Sequence, residues 1–145
     1  MFNYVSFCKK LSFHTLEYKI DCILRKRQSI ANTVSAAHTL MRKITKLLIN
    51  QASLRKLRFD SSFIPIFTSF PGANDCLQNL SKLCCCSDHD TELFYQLSKI
   101  CHNMQSLDIT FIEDISNGLL DLISAQQNLK CLRIIKKFEC KDLTI

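Results

Sequence analysis

Four seven-residue segments of this chain obey one template: a small polar residue, a large apolar one, two free positions, leucine, one free position, and a last apolar residue. They are Ser53–Phe59, Asn79–Cys85, Asn103–Ile109 and Asn128–Ile134. Their large apolar residues, Leu54, Leu80, Met104 and Leu129, follow one another at steps of 26, 24 and 25 residues. Within each segment the leucine and the final apolar residue are two apart, the spacing that places both on one face of a β-strand. A strand that short buries little by itself, so the copies must stack for their apolar faces to leave water.

A phase of this length lies in the window of leucine-rich repeats, about 20–29 residues. The expected fold is therefore α/β: a leucine-rich-repeat solenoid, a right-handed βα superhelix with parallel strands on its concave face and helices on its convex face. One domain over 1–145 is predicted, with an N-terminal strand and helical segment over 1–53, four repeats over 54–135, and a C-terminal cap or tail over 136–145. Strand alternation points Leu57, Leu83, Leu107 and Leu132 inward together with Phe59, Cys85, Ile109 and Ile134. The residues between them face solvent: Lys56, Arg58 and Asp60; Lys82, Cys84 and Cys86; Ser106, Asp108 and Thr110; Cys131, Arg133 and Ile135. These twelve are the candidate partner-binding residues, and a charge reversal at Asp108 is expected to leave folding nearly intact.

The chain before the first full template carries a related signal. Phe2 to Phe13 reads as strand, with Cys8 at the first apolar position and Leu11-Ser12-Phe13 as the leucine-x-apolar ending. Leu16, Ile20, Ile23 and Leu24 recur at helical spacing, followed by Arg25-Lys26-Arg27, whose charges suit a helix C-terminus. Gln28–Thr33 is a polar break. A second helix is predicted over about Val34–Asn50, with Leu40, Ile44, Leu47 and Leu48 on one face and Arg42, Lys43 and Lys46 on the other. No template occurs near residue 30, so this stretch is read as a longer helical connection. Between the first two templates Pro65 and Pro71 predict a short or irregular connection. Later helices are expected after Asp88 or Asp90 as cap, with Leu93, Phe94, Leu97, Ile100 and Cys101 inward, and after Ser116, with Leu119, Leu120, Leu122 and Ile123. Ser53, Asn79, Asn103 and Asn128 suit the turns into the strands. A last, incomplete strand is expected at Leu143–Ile145.

Nine cysteines suggest disulfides until they are placed. Cys85 occupies an apolar template position, Cys84 and Cys131 occupy free ones, and an odd count leaves one thiol over. They read as thiols in a reducing compartment. The alternative is zinc at Cys84-Cys85-Cys86 with Asp88 and His89. Paired zinc ligands are usually two to four residues apart, however, and three adjacent strand residues alternate between faces, so no metal and no cofactor is assigned. No run of about 18 apolar residues exists to span a bilayer, and the first apolar residues precede the first charges, the reverse of a secretory signal. Membrane partners are not expected, and the location is read as cytoplasmic or nuclear.

The formal charge of +6 is concentrated in the first sixty residues, which hold twelve Lys and Arg against three Asp and Glu. The remainder holds seven against ten. Such asymmetry raises nucleic-acid binding as an alternative. The basic residues, though, form separated clusters without interleaved aromatics, so solvated faces explain them better and nucleic acid is not the expected partner. Catalysis is not expected either. Two glycines cannot build a phosphate-cradling loop, no metalloprotease or serine-hydrolase motif occurs, and His14, His38, His89 and His102 are scattered. His102, at a helix end beside Asn103, fits either a charge favourable to the helix dipole or a turn hydrogen bond.

Four further segments, 2–12, Phe70-Pro71-Gly72-Ala73, 97–103 and 115–119, carry in order and spacing a resemblance to the F-box/leucine-rich-repeat proteins expanded in arbuscular mycorrhizal fungi. The resemblance covers nearly the whole chain. It implies that the repeats bind a protein substrate, while an N-terminal F-box docks the Skp-type adaptor of a cullin ubiquitin ligase. This sequence begins at the first repeat strand, with no Leu-Pro-headed helical module before it. The expectation is therefore substrate recognition, with adaptor docking only if an F-box lies upstream; the alternative is a free-standing repeat scaffold with no ligase role.

Overall fold

The computed structural model describes residues 7–26, 33–59, 67–112 and 114–137. Within them run β1 (Lys10–Ser12), α1 (Phe13–Lys26), α2 (Thr33–Gln51), β2 (Lys56–Phe59), a 3-10 turn (Phe67–Ser69), α3 (Ala73–Leu77), β3 (Lys82–Cys86), α4 (Thr91–Ile100), β4 (Ser106–Phe111), α5 (Asn117–Ser124) and β5 (Cys131–Lys136). The five strands form one parallel sheet in chain order. Parallel neighbours cannot be joined by a tight hairpin, so each link must cross over, and helices supply every crossover.

The register stacks the template positions. Leu11, Leu57, Leu83, Leu107 and Leu132 lie side by side across the sheet. The strand entries repeat as well, two successive N–H groups converging on one carbonyl of the preceding strand. Arg55 and Lys56 donate to Lys9 O, Ser81 and Lys82 to Arg55 O, Gln105 and Ser106 to Ser81 O, and Lys130 and Cys131 to Gln105 O. Across β1 to β4 one face of the sheet carries apolar side chains. Leu57, Phe59, Leu83, Cys85, Leu107 and Ile109 join Phe13, Phe67, Phe94, Leu97, Leu119 and Leu122 in a single core. Phe59 is its aromatic centre, 6.1 Å from the Phe67 ring and 5.9 Å from that of Phe94.

Local chemistry explains where the helices start. Asp90 Oδ1 accepts from Glu92 N at 3.0 Å and Ser116 Oγ from Leu119 N at 3.3 Å, so these two residues cap α4 and α5 as their side chains lead one to expect. Gly72, with φ 87°, turns the chain into α3 in a conformation that a Cβ would strain. Arg25 and Lys26 close α1, and Arg25 pairs with Asp21 at 3.0 Å.

Several faces differ from the periodicity reading. Phe13 opens α1 instead of ending a strand and is fully buried. Ile23 is 51% exposed, because α1 turns Ile20 inward and Leu16 and Leu24 only partly so. On α2 the buried residues are Met41, Thr45 and Ile49, not Leu47, which stays exposed. That face is rotated by about one residue and accepts a threonine, whose hydroxyl donates to Met41 O at 2.6 Å and so needs no water. Leu120 likewise faces out. The largest departure is β5: it pairs with β4 along six positions, yet Leu132 and Ile134 remain 46% and 52% exposed. They occupy the inward rows, but among the described residues no helix follows β5 to cover them. The expected strand at Leu143–Ile145, the polar break after residue 27 and the Pro65 kink lie outside the described residues. No helix among those described is long and apolar enough to cross a membrane.

Candidate functional site

The face of the sheet opposite the core is organised by the same register that stacks the leucines. One row reads Lys10, Lys56, Lys82, Ser106, Cys131 across the five strands. The next reads Ser12, Arg58, Cys84, Asp108, Arg133, and a third Cys86, Thr110, Ile135. Eleven of the twelve predicted residues thus share one surface, and Asp60 lies outside the described residues. Lys56, Arg58, Cys131, Arg133 and Ile135 are exposed, whereas Lys82, Cys84, Cys86, Ser106, Asp108 and Thr110 are half-buried.

Neighbouring parallel strands are about 4.8 Å apart. Three lysines on adjacent strands therefore start from roots that close, with Arg58 one row on. A shallow groove of about 200 Å³ runs among these cations, lined by Lys10, Ser12, Lys56, Arg58, Lys82 and Cys84 together with Leu11 and Leu57. Lys10 and Ser12 were not among the predicted contacts. The leucine-x-apolar ending at Leu11-Ser12-Phe13 held the signal, since residues flanking an inward leucine must face outward.

Asp108 is the acidic counterweight. Its Oδ2 lies 3.9 Å from Lys82 Nζ and accepts a long contact from Cys84 Sγ at 3.7 Å. Its Oδ1 is buried without a hydrogen-bond partner. The residue is therefore less freely presented than alternation alone suggests. Burial pushes the Cys84 thiol above its ordinary range and the Asp108 charge pushes the same way, against Lys82 and Arg58. A second hollow, about 370 Å³, lies on another surface between α2 and Pro71, lined by Lys43, Lys46, Leu47 and Asn50.

The histidines divide. His102 Nε2 donates to Lys99 O at 2.9 Å, the hydrogen bond that was one of the two roles expected of it. His89 instead reaches β2, with Nε2 2.9 Å from Phe59 O, and lies in the turn with Cys86 and Asp88. Cys84 and Cys85 do not join that group: Cys85 points into the core, and burial drives its thiol far upward. No disulfide joins the eight described cysteines.

Comparison with protein-family models, with curated proteins and with solved structures finds no match to this chain.

Proposed function

We propose that the chain is a protein-binding module of the leucine-rich-repeat kind, a right-handed solenoid whose open sheet face takes an acidic segment of its partner. The observation that carries this reading is the Lys10–Lys56–Lys82 row with Arg58 beside it. Like charges held this close on a rigid sheet repel one another, and carboxylates laid across them relieve that repulsion. The in-register leucines and the repeated strand entries support the solenoid part of the proposal. The outward strand positions offer no aromatic ring on which a base would stack, which favours a protein over a single-stranded nucleic acid. The resemblance to F-box proteins extends the proposal: the bound protein is a substrate presented to a cullin-type ubiquitin ligase in the cytoplasm or nucleus.

Fluorescence anisotropy with a labelled glutamate-rich peptide tests the binding face. The Lys56→Glu/Arg58→Glu variant is expected to lose at least about tenfold in affinity, and wild-type affinity to weaken with salt. Equal binding by the variant, or retention of an oligonucleotide while the peptide is ignored, removes the reading. Co-purification with a Skp-type adaptor tests the ligase part separately.

A further inference from the structure

The turn after β3 gathers three metal-ligating groups. Cys86 ends the strand, Asp88 and His89 follow it, and one ligand atom from each lies within 4.8 Å of the others. His89 is held in a tautomer that suits this role. A carbonyl oxygen only accepts, so the nitrogen facing Phe59 O carries the proton and Nδ1 keeps its lone pair. Ligand imidazoles in metal sites are held in this way, one nitrogen donating to a backbone carbonyl and the other facing the ion. An edge-on contact with the Phe59 ring at 5.2 Å restrains the imidazole further.

The backbone of the turn is equally fixed. Ser87, between the ligands, is buried; its N–H donates to Thr110 O at 2.9 Å, and its Oγ accepts from Ile112 N at 3.1 Å. Asp90, the next acidic residue, is committed to capping α4. Cys86, Asp88 and His89 thus project from a turn pinned to the strands on either side, β2 through His89 and β4 through Ser87.

We propose that Cys86, Asp88 and His89 bind a zinc ion at the head of the β3–α4 turn. A thiolate, an imidazole and a carboxylate suit this borderline cation, whereas calcium and magnesium take oxygen ligands. Tetrahedral zinc holds its ligand atoms about 3.5 Å apart, so the triangle has to close by no more than about 1.3 Å on binding. Asp88, exposed at the tip of the turn, moves to close it. Water fills the fourth position. The site stands independently of the acidic-partner reading, since no lysine of that row belongs to it.

Cobalt titration of the purified, reduced chain reads the site directly, because a cobalt–thiolate bond gives a near-ultraviolet charge-transfer band. The expected result is saturation at about one equivalent, displacement by zinc, loss of the band in Cys86→Ser and in His89→Asn, and its survival in Cys84→Ser. Thermal melting in zinc should rise for the wild type and for Cys84→Ser but not for Cys86→Ser, with circular dichroism confirming that each variant is folded. No saturable band in the folded wild type, or a band that persists in folded Cys86→Ser, overturns the proposal.

Discussion

Gly118 sits where the starts of α4 and α5 meet. Its N–H donates to Thr91 Oγ1 at 2.9 Å, and a Cβ built on it would lie 2.1 Å from the Thr91 carbonyl oxygen. Alanine is otherwise the better helix residue, by about 1 kcal/mol. Here the obstacle is backbone and cannot swing aside, so the steric cost wins. Gly118→Ala should lower stability by at least about 1–3 kcal/mol, read as a reduced urea midpoint at unchanged slope. Cys101 supplies a second test at this scale. Burial, with the neighbouring Cys76 adding to it, pushes its thiol up to about 12, and its Sγ donates to Leu77 O at 3.4 Å. The folded state holds that proton more tightly than the unfolded chain, whose thiols titrate near about 8.5. Its contribution to stability is therefore complete below that value and is lost as pH rises toward about 12. Urea midpoints measured across this alkaline window should fall less steeply for Cys101→Ala than for the wild type; parallel curves would show that the buried thiol contributes nothing. Asp108 also changes standing. With one oxygen buried and the other against Lys82 and Cys84, Asp108→Lys sets a second ammonium beside Lys82, so the reversal should lower the urea midpoint, while the added positive charge tightens binding of the glutamate-rich peptide in the folded fraction.

Strands with the same sequence template do not contribute equally. Leu107 is fully buried between Leu83 and Leu132, whereas Leu132 on β5 is 46% exposed. Leu107→Ala should cost about 2–5 kcal/mol, the transfer term plus a cavity, and Leu132→Ala clearly less, since no cavity opens at a surface already wet. Chemical denaturation of the two variants side by side measures the difference, and equal losses would mean that β5 is covered in solution. The helices between strands are tied across copies by polar side chains too. Gln126 Nε2 donates to Cys101 O at 2.7 Å and to Leu122 O at 2.9 Å, while its Oε1 accepts from Met104 N at 2.9 Å. One glutamine thus satisfies backbone groups of α5, the end of α4 and the approach to β4. Asn128 donates to Asn103 Oδ1 at 3.3 Å, so the turn asparagines of two successive templates meet each other.

At the scale of the molecule, protection should be graded along the stack. β3 and β4 lie between paired strands and over the core, while every residue of β5 is exposed. Native-state hydrogen exchange should therefore find the slowest amides in β3 and β4 and faster ones in β5, and uniform protection would contradict a core centred on Leu83 and Leu107. How much of this was legible beforehand depends on which physical signal carried it. The strand positions, their order in the sheet and the two faces follow from a local rule, alternation at a period of two, repeated at a phase of 24 to 26 residues. Eleven of the twelve outward residues could accordingly be named from sequence. Helix faces were less legible, because apolarity alone does not separate the exposed Leu47 and Ile23 from the buried residues, and only packing against neighbouring elements selects Met41, Thr45 and Ile49 on α2. Zinc at Cys84-Cys85-Cys86 with Asp88 and His89 could be raised from sequence but not assigned, and which cysteine joins the group could not be read, for a related reason. Sequence spacing weighs ligands along the chain, but His89 is oriented by Phe59, thirty residues earlier, and the turn by Thr110 on the next strand and Ile112 just after it. The chain by itself determined a parallel stack with one apolar and one polar face, since those rest on local periodicity. Which apolar residues are sheltered, how Asp108 is engaged and where three ligands converge were decided only by tertiary contacts, since each depends on groups brought together from distant parts of the chain.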